Sequence, residues 1–210
     1  TAAREILRGH RLAYALVRPP GHHAERRAFG GFCYFNNCAV AAQYLCAYGR
    51  VAILDVDYHH GNGQQDIFYR RADFLTLSIH GHPNHAYPYF SGFADELGEG
   101  EGKGFNRNFP LPEGAGEEQY LAALDKACAA IVKHAPHFLV VSLGLDIIKA
   151  DPTGSFVIPA AALETIGRRV AALDRPTLVV QEGGYHLRNL RRGVVAFFSG
   201  MARALIERYS

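Results

Sequence analysis

Five short apolar runs along this chain each stop on a cluster of polar and ionisable residues. This repeated ending restricts the fold more than any other feature. The runs are 12–17, 51–57, 73–80, 138–146 and 177–181. They are rich in Val, Leu, Ile and Phe and lack clean apolar/polar alternation, the pattern of strands buried on both faces of a parallel sheet. Between them lie longer amphipathic stretches, 37–48, 63–69, 117–134, 159–173 and 190–208, which read as helices. Gly116 precedes the third, and Pro136 closes it soon after. Such alternation predicts an α/β chain, with three layers (α/β/α) around a mainly parallel central sheet. The stretch 81–112 differs: it is rich in Gly, Pro, Asn and aromatics and shows no period. A loop that long inside a compact domain is usually functional.

Composition narrows the class. With 210 residues the chain is long enough for one domain with its own core, and we expect a single domain over 1–210. A net charge of +2 gives no reason to expect a nucleic-acid partner. No run of about 18 apolar residues exists, so no membrane span is expected, and the mixed, charged start does not read as a signal peptide. Cys33, Cys38, Cys46 and Cys128 form no C-x-x-C pair and lack the density of a disulfide scaffold. They read as reduced thiols of a cytoplasmic protein.

Open parallel sheets bind ligands beyond the carboxyl ends of their strands, so the endings carry the chemistry. After AYALV comes RPPGHH, with His22 and His23. After VAIL come Asp55, Asp57, His59 and His60; after FLTL comes SIHGH; after FLVVSLGL comes Asp146; after TLVV comes QEGGY, ending in Tyr185. One such ending is an ordinary turn, but five together are hard to explain that way. In extended chain, Asp57 and His59 point the same way, and Asp55 shares their face. The D-x-H spacing alone favours a hydrogen-bonded pair in a turn. With Asp146 and the double histidine included, an Asp, His, Asp metal site with an open coordination position is the better reading. Adjacent His22 and His23 cannot both point to one place in extended chain, but Pro19, Pro20 and Gly21 fix an unusual path that can present both. A histidine suits the base that a metal-activated water needs, and Asp55 and Asn62 are at hand to fix the tautomers. Taken alone, GGY is a weak signal; its tyrosine hydroxyl can donate to an oxyanion, and a tyrosine after a turn is more often packing.

These residues together resemble the zinc-dependent deacetylases of the arginase-like fold, which include histone deacetylases and bacterial acetylpolyamine amidohydrolases. The motifs that carry the resemblance are RPPGHHA, GGFCYFNN, AILDVDYHHGNGQQDIFY, SLGLD followed by DPTGSF, and QEGGY, and the match runs from about Ala13 to about Gly200. RPPGHHA looks like the class II and acetylpolyamine branch. The resemblance implies that Asp57, His59 and Asp146 hold zinc and that His22, His23 and Tyr185 are catalytic. Of the tandem pair, His23 is then the main base and acid, and His22 assists. Asp55 and Asn62 orient the two histidines. Gly31, Phe32, Tyr87, Thr153 and Gly183 belong to the acyl-chain tunnel, with Phe32 and Tyr87 as its aromatic walls. Potassium is implied at Asp55, Asp57, His59, Ser78 and Ile79, partly through backbone carbonyls.

The implied reaction is removal of an acetyl group from an alkylamine, either an acetylpolyamine or acetyl-lysine. A zinc- and acyl-amine-binding module with little turnover is the alternative. An arginase-like ureohydrolase needs a larger Asp/His set, and the tandem histidines with GGY do not fit it. Two departures from the pattern stand out. Family members carry a long segment ahead of the match, so this sequence is either a fragment or a short member whose rim another subunit builds, and an apolar surface left open without that segment suggests a homo-oligomer. Thr153 replaces the glutamate of some polyamine-selective relatives and the leucine or methionine of many lysine deacetylases.

Overall fold

The computed structural model describes residues 1–209. The elements in chain order are α1 (Ala2–Leu7), β1 (Leu12–Ala15), α2 (Asn37–Cys46), β2 (Val51–Asp55), α3 (Asn62–Phe68), β3 (Phe74–Gly81), β4 (Asn106–Leu111), α4 (Glu117–His134), β5 (Phe138–Leu143), α5 (Ala162–Ala172), β6 (Thr177–Gln181) and α6 (Leu187–Tyr209). All six strands form one parallel sheet in the order β1-β6-β5-β2-β3-β4. The expected α/β fold with a parallel sheet is what the chain adopts.

The missing alternation has a direct cause. Along β2, Val51 and Ile53 enter one core while Ala52 and Leu54 enter the other. One face is covered by α4, α5 and α6, through residues such as Leu124, Ile166 and Phe197. The other is covered by α1, α2 and α3, through Ile6, Leu45 and Phe68. A strand buried on both sides has no polar face to show.

The helix ends follow local chemistry. Asn36 caps α2 by accepting the Ala39 N–H at 2.8 Å. Helix α4 occupies the predicted residues. Glu117 and Glu118 lie in its first turn and Lys133 and His134 in its last, each sign favourable for the helix dipole. Ala135 then turns into the left-handed region ahead of Pro136.

Some boundaries move. Strands β1, β2 and β5 end earlier than their apolar runs, at Ala15, Asp55 and Leu143. The aperiodic stretch contains a strand, β4, pairing with β3 from Thr76↔Asn106 to Gly81↔Leu111. As an edge strand of sequence NRNFPL it carries polar residues that a central strand would not. No helix among the described residues is long and apolar enough to cross a membrane.

The topology fixes where a site can be. From β2 the chain winds through β3 to β4, and from β5 it winds the opposite way to β6. Neighbouring strands β2 and β5 are therefore the switch point, beyond whose carboxyl ends a crevice must open.

Candidate metal centre and active site

Two ligand candidates leave the end of β2 and one leaves the end of β5. Asp57, His59 and Asp146 each offer one donor atom, and these atoms lie within 4.8 Å of one another. His59 Nδ1 is 3.3 Å from Asp57 Oδ1 and 3.1 Å from Asp146 Oδ2. Both carboxylates are buried, and neither pairs with a Lys or Arg among the described residues. Two buried carboxylates and one imidazole, converging without a permanent cation, are a donor set that suits a divalent ion with an open position.

The electrostatics agree. Burial by itself disfavours charge on His59, but Asp146 and Asp57 outweigh it and push its pKa up to about 10. Burial together with the Asp57 charge pushes Asp146 up to about 6. Burial also acts to raise Asp57, yet His22 and His59 hold it well below the carboxylate range. The cluster thus attracts positive charge.

Backbone geometry around the cluster differs from the extended path expected of it. Strand β2 ends at Asp55, and residues 57–59 bend. Side chains stabilise the bend: Asp55 Oδ1 accepts the Asp57 N–H, Asp57 Oδ1 accepts the His59 N–H, and Asp146 Oδ1 accepts the Tyr58 N–H. Asp57 and His59 converge because carboxylates clamp a turn, not because strand residues two apart share a face.

His22 and His23 meet the cluster from the opposite side. The Ala24 N–H donates to the Gly21 carbonyl at 3.0 Å, so the pair occupies the middle of a turn. That turn lets adjacent residues point together, with ring centroids 4.0 Å apart. His22 Nδ1 donates to Asp55 Oδ2 at 3.0 Å, and His23 Nδ1 donates to Asn62 Oδ1 at 2.7 Å. Both rings are buried. They differ in charge. For His22, burial is outweighed by Asp57 and Asp55, and its pKa is raised well above the usual value. For His23, burial and the neighbouring His22 lower it well below. His23 therefore keeps a neutral imidazole with its proton on Nδ1 and a lone pair on Nε2. The second histidine of the HH pair after β2, His60, turns away and packs against His80 at 4.5 Å between centroids.

Gly183 needs to be glycine. A Cβ there would lie 2.6 Å from Asp146 Oδ2 and 2.7 Å from Asp57 Oδ2, while its N–H donates to Asp57 Oδ2 at 2.9 Å. Tyr185 follows at the edge of the crevice, 39% exposed. Burial and the Asp57 and Asp146 charges raise its pKa, so the hydroxyl keeps its proton and remains a donor. Asp151 fixes the tyrosine's backbone, its Oδ2 accepting the N–H groups of Tyr185 and His186 at 2.7 and 3.1 Å.

Aromatic rings form the approach. Tyr87 stands edge-on to His23 at 4.8 Å and to His59 at 6.5 Å. Phe32 lies 5.7 Å from Tyr185 and is itself held at φ +67°. Gly31, at φ +54°, abuts the His23 ring, where a Cβ would collide with it. Thr153 is exposed, and its hydroxyl donates to Asp151 Oδ1 at 2.8 Å. Ser78 and Ile79 are buried on β3, with Ser78 paired to Asp55 of β2. The structure thus gathers His22, His23, Asp55, Asp57, His59, Asn62, Asp146, Gly183 and Tyr185 around one crevice, with Gly31, Phe32 and Tyr87 at its mouth. Sequence reasoning overlooked Glu182, Gln64 and Glu25. The last accepts the Asn62 amide at 2.6 Å. Nothing local distinguishes these three from surface polar residues.

Residues 1–201 match the histone deacetylase domain. Acetylpolyamine amidohydrolase 1 of Pseudomonas aeruginosa is 54% identical over 187 residues, covering 88% of this chain and 54% of that protein. Histone deacetylase 8 of Arabidopsis thaliana is 37% identical over 200 residues, covering 89% of this chain and 53% of that protein. The crystal structure of an acetylpolyamine aminohydrolase from Burkholderia pseudomallei superposes with a TM-score of 0.95 at 46% identity, covering 97% of this chain and 60% of that one. The chain spans little more than half the length of these relatives.

Proposed function

Since this chain belongs to the histone deacetylase family, we propose that it hydrolyses the amide of an acetylated alkylamine, with acetylpolyamines as the favoured substrates. One observation carries the reading: the Asp57–His59–Asp146 cluster lies beside two buried histidines whose Nδ1 atoms are held by Asp55 and Asn62, with His23 5.8 Å from His59 between ring centroids. The relatives named acetylpolyamine amidohydrolases support the substrate class.

Asp57, His59 and Asp146 would hold zinc, which when bound supplies Lewis acidity toward the acyl carbonyl and toward water. His23 Nε2 takes a proton from the attacking water, because Asn62 keeps the other ring nitrogen protonated. His22, held as imidazolium by Asp55, adds positive charge near the reacting carbonyl. The Tyr185 hydroxyl donates to the oxyanion as it forms. The proton held on His23 then passes to the departing amine. Phe32 and Tyr87 flank a slim methylene chain and keep water from its sides, and Gly31, Thr153 and Gly183 complete the tunnel.

We assign potassium to Asp55, Asp57, His59, Ser78 and Ile79, a reading supported by the lateral pairing of β2 with β3 at Asp55 and Ser78. A cytoplasmic location is supported by four free cysteines. A homo-oligomer through the β1 edge completes the proposal, supported by the exposed Leu16, Phe35 and Val40 beside it.

The test is acetate release by the zinc-reconstituted 210-residue chain from N-acetylputrescine and from an acetyl-lysine peptide. Release from the polyamine should be the faster, stop with chelator and return with zinc. No release from either, with zinc bound, would count against catalysis and for a binding module.

A further inference from the structure

Glu182 lies behind the tandem histidines, one residue beyond the end of β6. Its carboxylate is buried and forms no ion pair with a Lys or Arg among the described residues. Oε2 instead accepts two consecutive backbone N–H groups, Gly21 at 2.6 Å and His22 at 3.1 Å. Successive amides converging on one oxygen make an anion-binding nest. Hydrogen bonds to a carboxylate are also the stronger kind.

The other oxygen enters a chain of buried polar groups. The Cys38 thiol donates to Oε1 at 3.4 Å, and the Ser142 hydroxyl donates to Cys38 Sγ at 3.1 Å. The Gln64 amide donates to Ser142 Oγ at 3.2 Å and to Asp55 Oδ2 at 2.5 Å. Asp55 Oδ2 in turn accepts from the His22 ring. The chain closes on itself: His22 is gripped at its ring by Asp55 and at its backbone by Glu182. Cys38, Ser142, Gln64 and Asp55 are all buried, where an unmade hydrogen bond is costly.

Burying a carboxylate is costly, and the nearby His22 ring together with the two amides of the nest offsets that cost. We propose that Glu182 is a positioning residue: by holding the backbone of the Gly21–Ala24 turn it keeps the His22 and His23 rings facing the Asp57–His59–Asp146 cluster. The role rests on the deacetylase reading only in calling those rings catalytic.

Two variants and three readouts test it. In Glu182→Ala the amides of Gly21 and His22 lose their acceptor and should exchange with solvent at least about tenfold faster by NMR. Its kcat should fall on the order of 10²-fold, since displaced catalytic groups cost that much. KM should stay within about threefold, because the residue touches no substrate. Glu182→Gln keeps an oxygen that can accept both amides, so it should restore slow exchange and most of kcat. Zinc content and Tm accompany each variant. If the alanine variant does not fold, Glu182→Asp, one methylene short, replaces it with the same expected losses.

Amides of Gly21 and His22 that exchange as slowly in the alanine variant as in the parent would overturn the proposal. A kcat within about threefold of the parent would do the same, as would a glutamine variant as impaired as the alanine one. A parent that releases no acetate sinks the deacetylase reading alone, because amide exchange in the variants still decides what Glu182 holds.

Discussion

His22 and His23 are sequence neighbours with opposite charge preferences, and the difference lies in their partners. An aspartate on one ring and an amide oxygen on the other divide a base from a cation. The residues themselves showed only that Asp55 and Asn62 were at hand; which one holds which histidine was implied by the family resemblance. Glu182 was not legible in the sequence: a glutamate after a strand looks like any strand-end polar residue until the chain is folded. Tyr185 poses the sharpest test at this scale. Its hydroxyl keeps its proton, because burial and the charges of Asp57 and Asp146 raise its pKa, and it is not among the candidate ligands. Tyr185→Phe should cut turnover by about 10²- to 10³-fold, the usual loss when one oxyanion donor goes. Zinc content, measured by metal analysis, should not change. Near-parental turnover would remove Tyr185 from the mechanism.

The elements show where periodicity carries information and where it does not. Strands buried on both faces and the long helix α4 were readable, since hydrophobic runs and caps are written locally. Strand β4 was not, because its sequence NRNFPL faces a polar layer. Asn106 and Asn108 both donate to Gln65 Oε1, at 2.8 and 2.9 Å, and Gln65 Nε2 donates to Glu96 Oε2 at 2.6 Å. Glu96 Oε2 also accepts the Gly92 N–H, so one glutamine of α3 ties β4 to the loop that carries Tyr87. Reading such a strand needs knowledge of its partners. The bend after β2 was misread for a related reason: carboxylates clamp it, and period-2 reasoning stops where the strand does. Gln65→Leu should remove three hydrogen bonds, those with Asn106, Asn108 and Glu96, and lower stability by about 2 kcal/mol. It should also weaken kcat/KM as Tyr87 loosens. An unchanged Tm would show that the polar layer does not anchor the loop.

At the scale of the whole molecule, the winding order decides the chemistry. The switch between β2 and β5 opens the crevice, and the edge at β1 leaves apolar side chains in the open. Uncovered strand edges and apolar patches favour association. Light scattering should therefore give a particle mass that is a multiple of 23.1 kDa, and Val40→Glu together with Leu16→Lys should bring it down to one chain. A monodisperse monomer at working concentration would count against the oligomer. The crevice has another consequence, for the history of each molecule rather than its activity. Its ligands come from both sides of the β2–β5 seam, and Tyr58 and Asp146, which meet there, are 88 positions apart in the chain. No early-folding local segment contains the set, so ion affinity arises only once the central strands have docked. An ion held by this cluster would bridge the seam as a cross-link closing a long loop, and the seam could not part without releasing it. On the proposed reading, metal supply would then govern how long a folded molecule stays closed, as well as how fast it works.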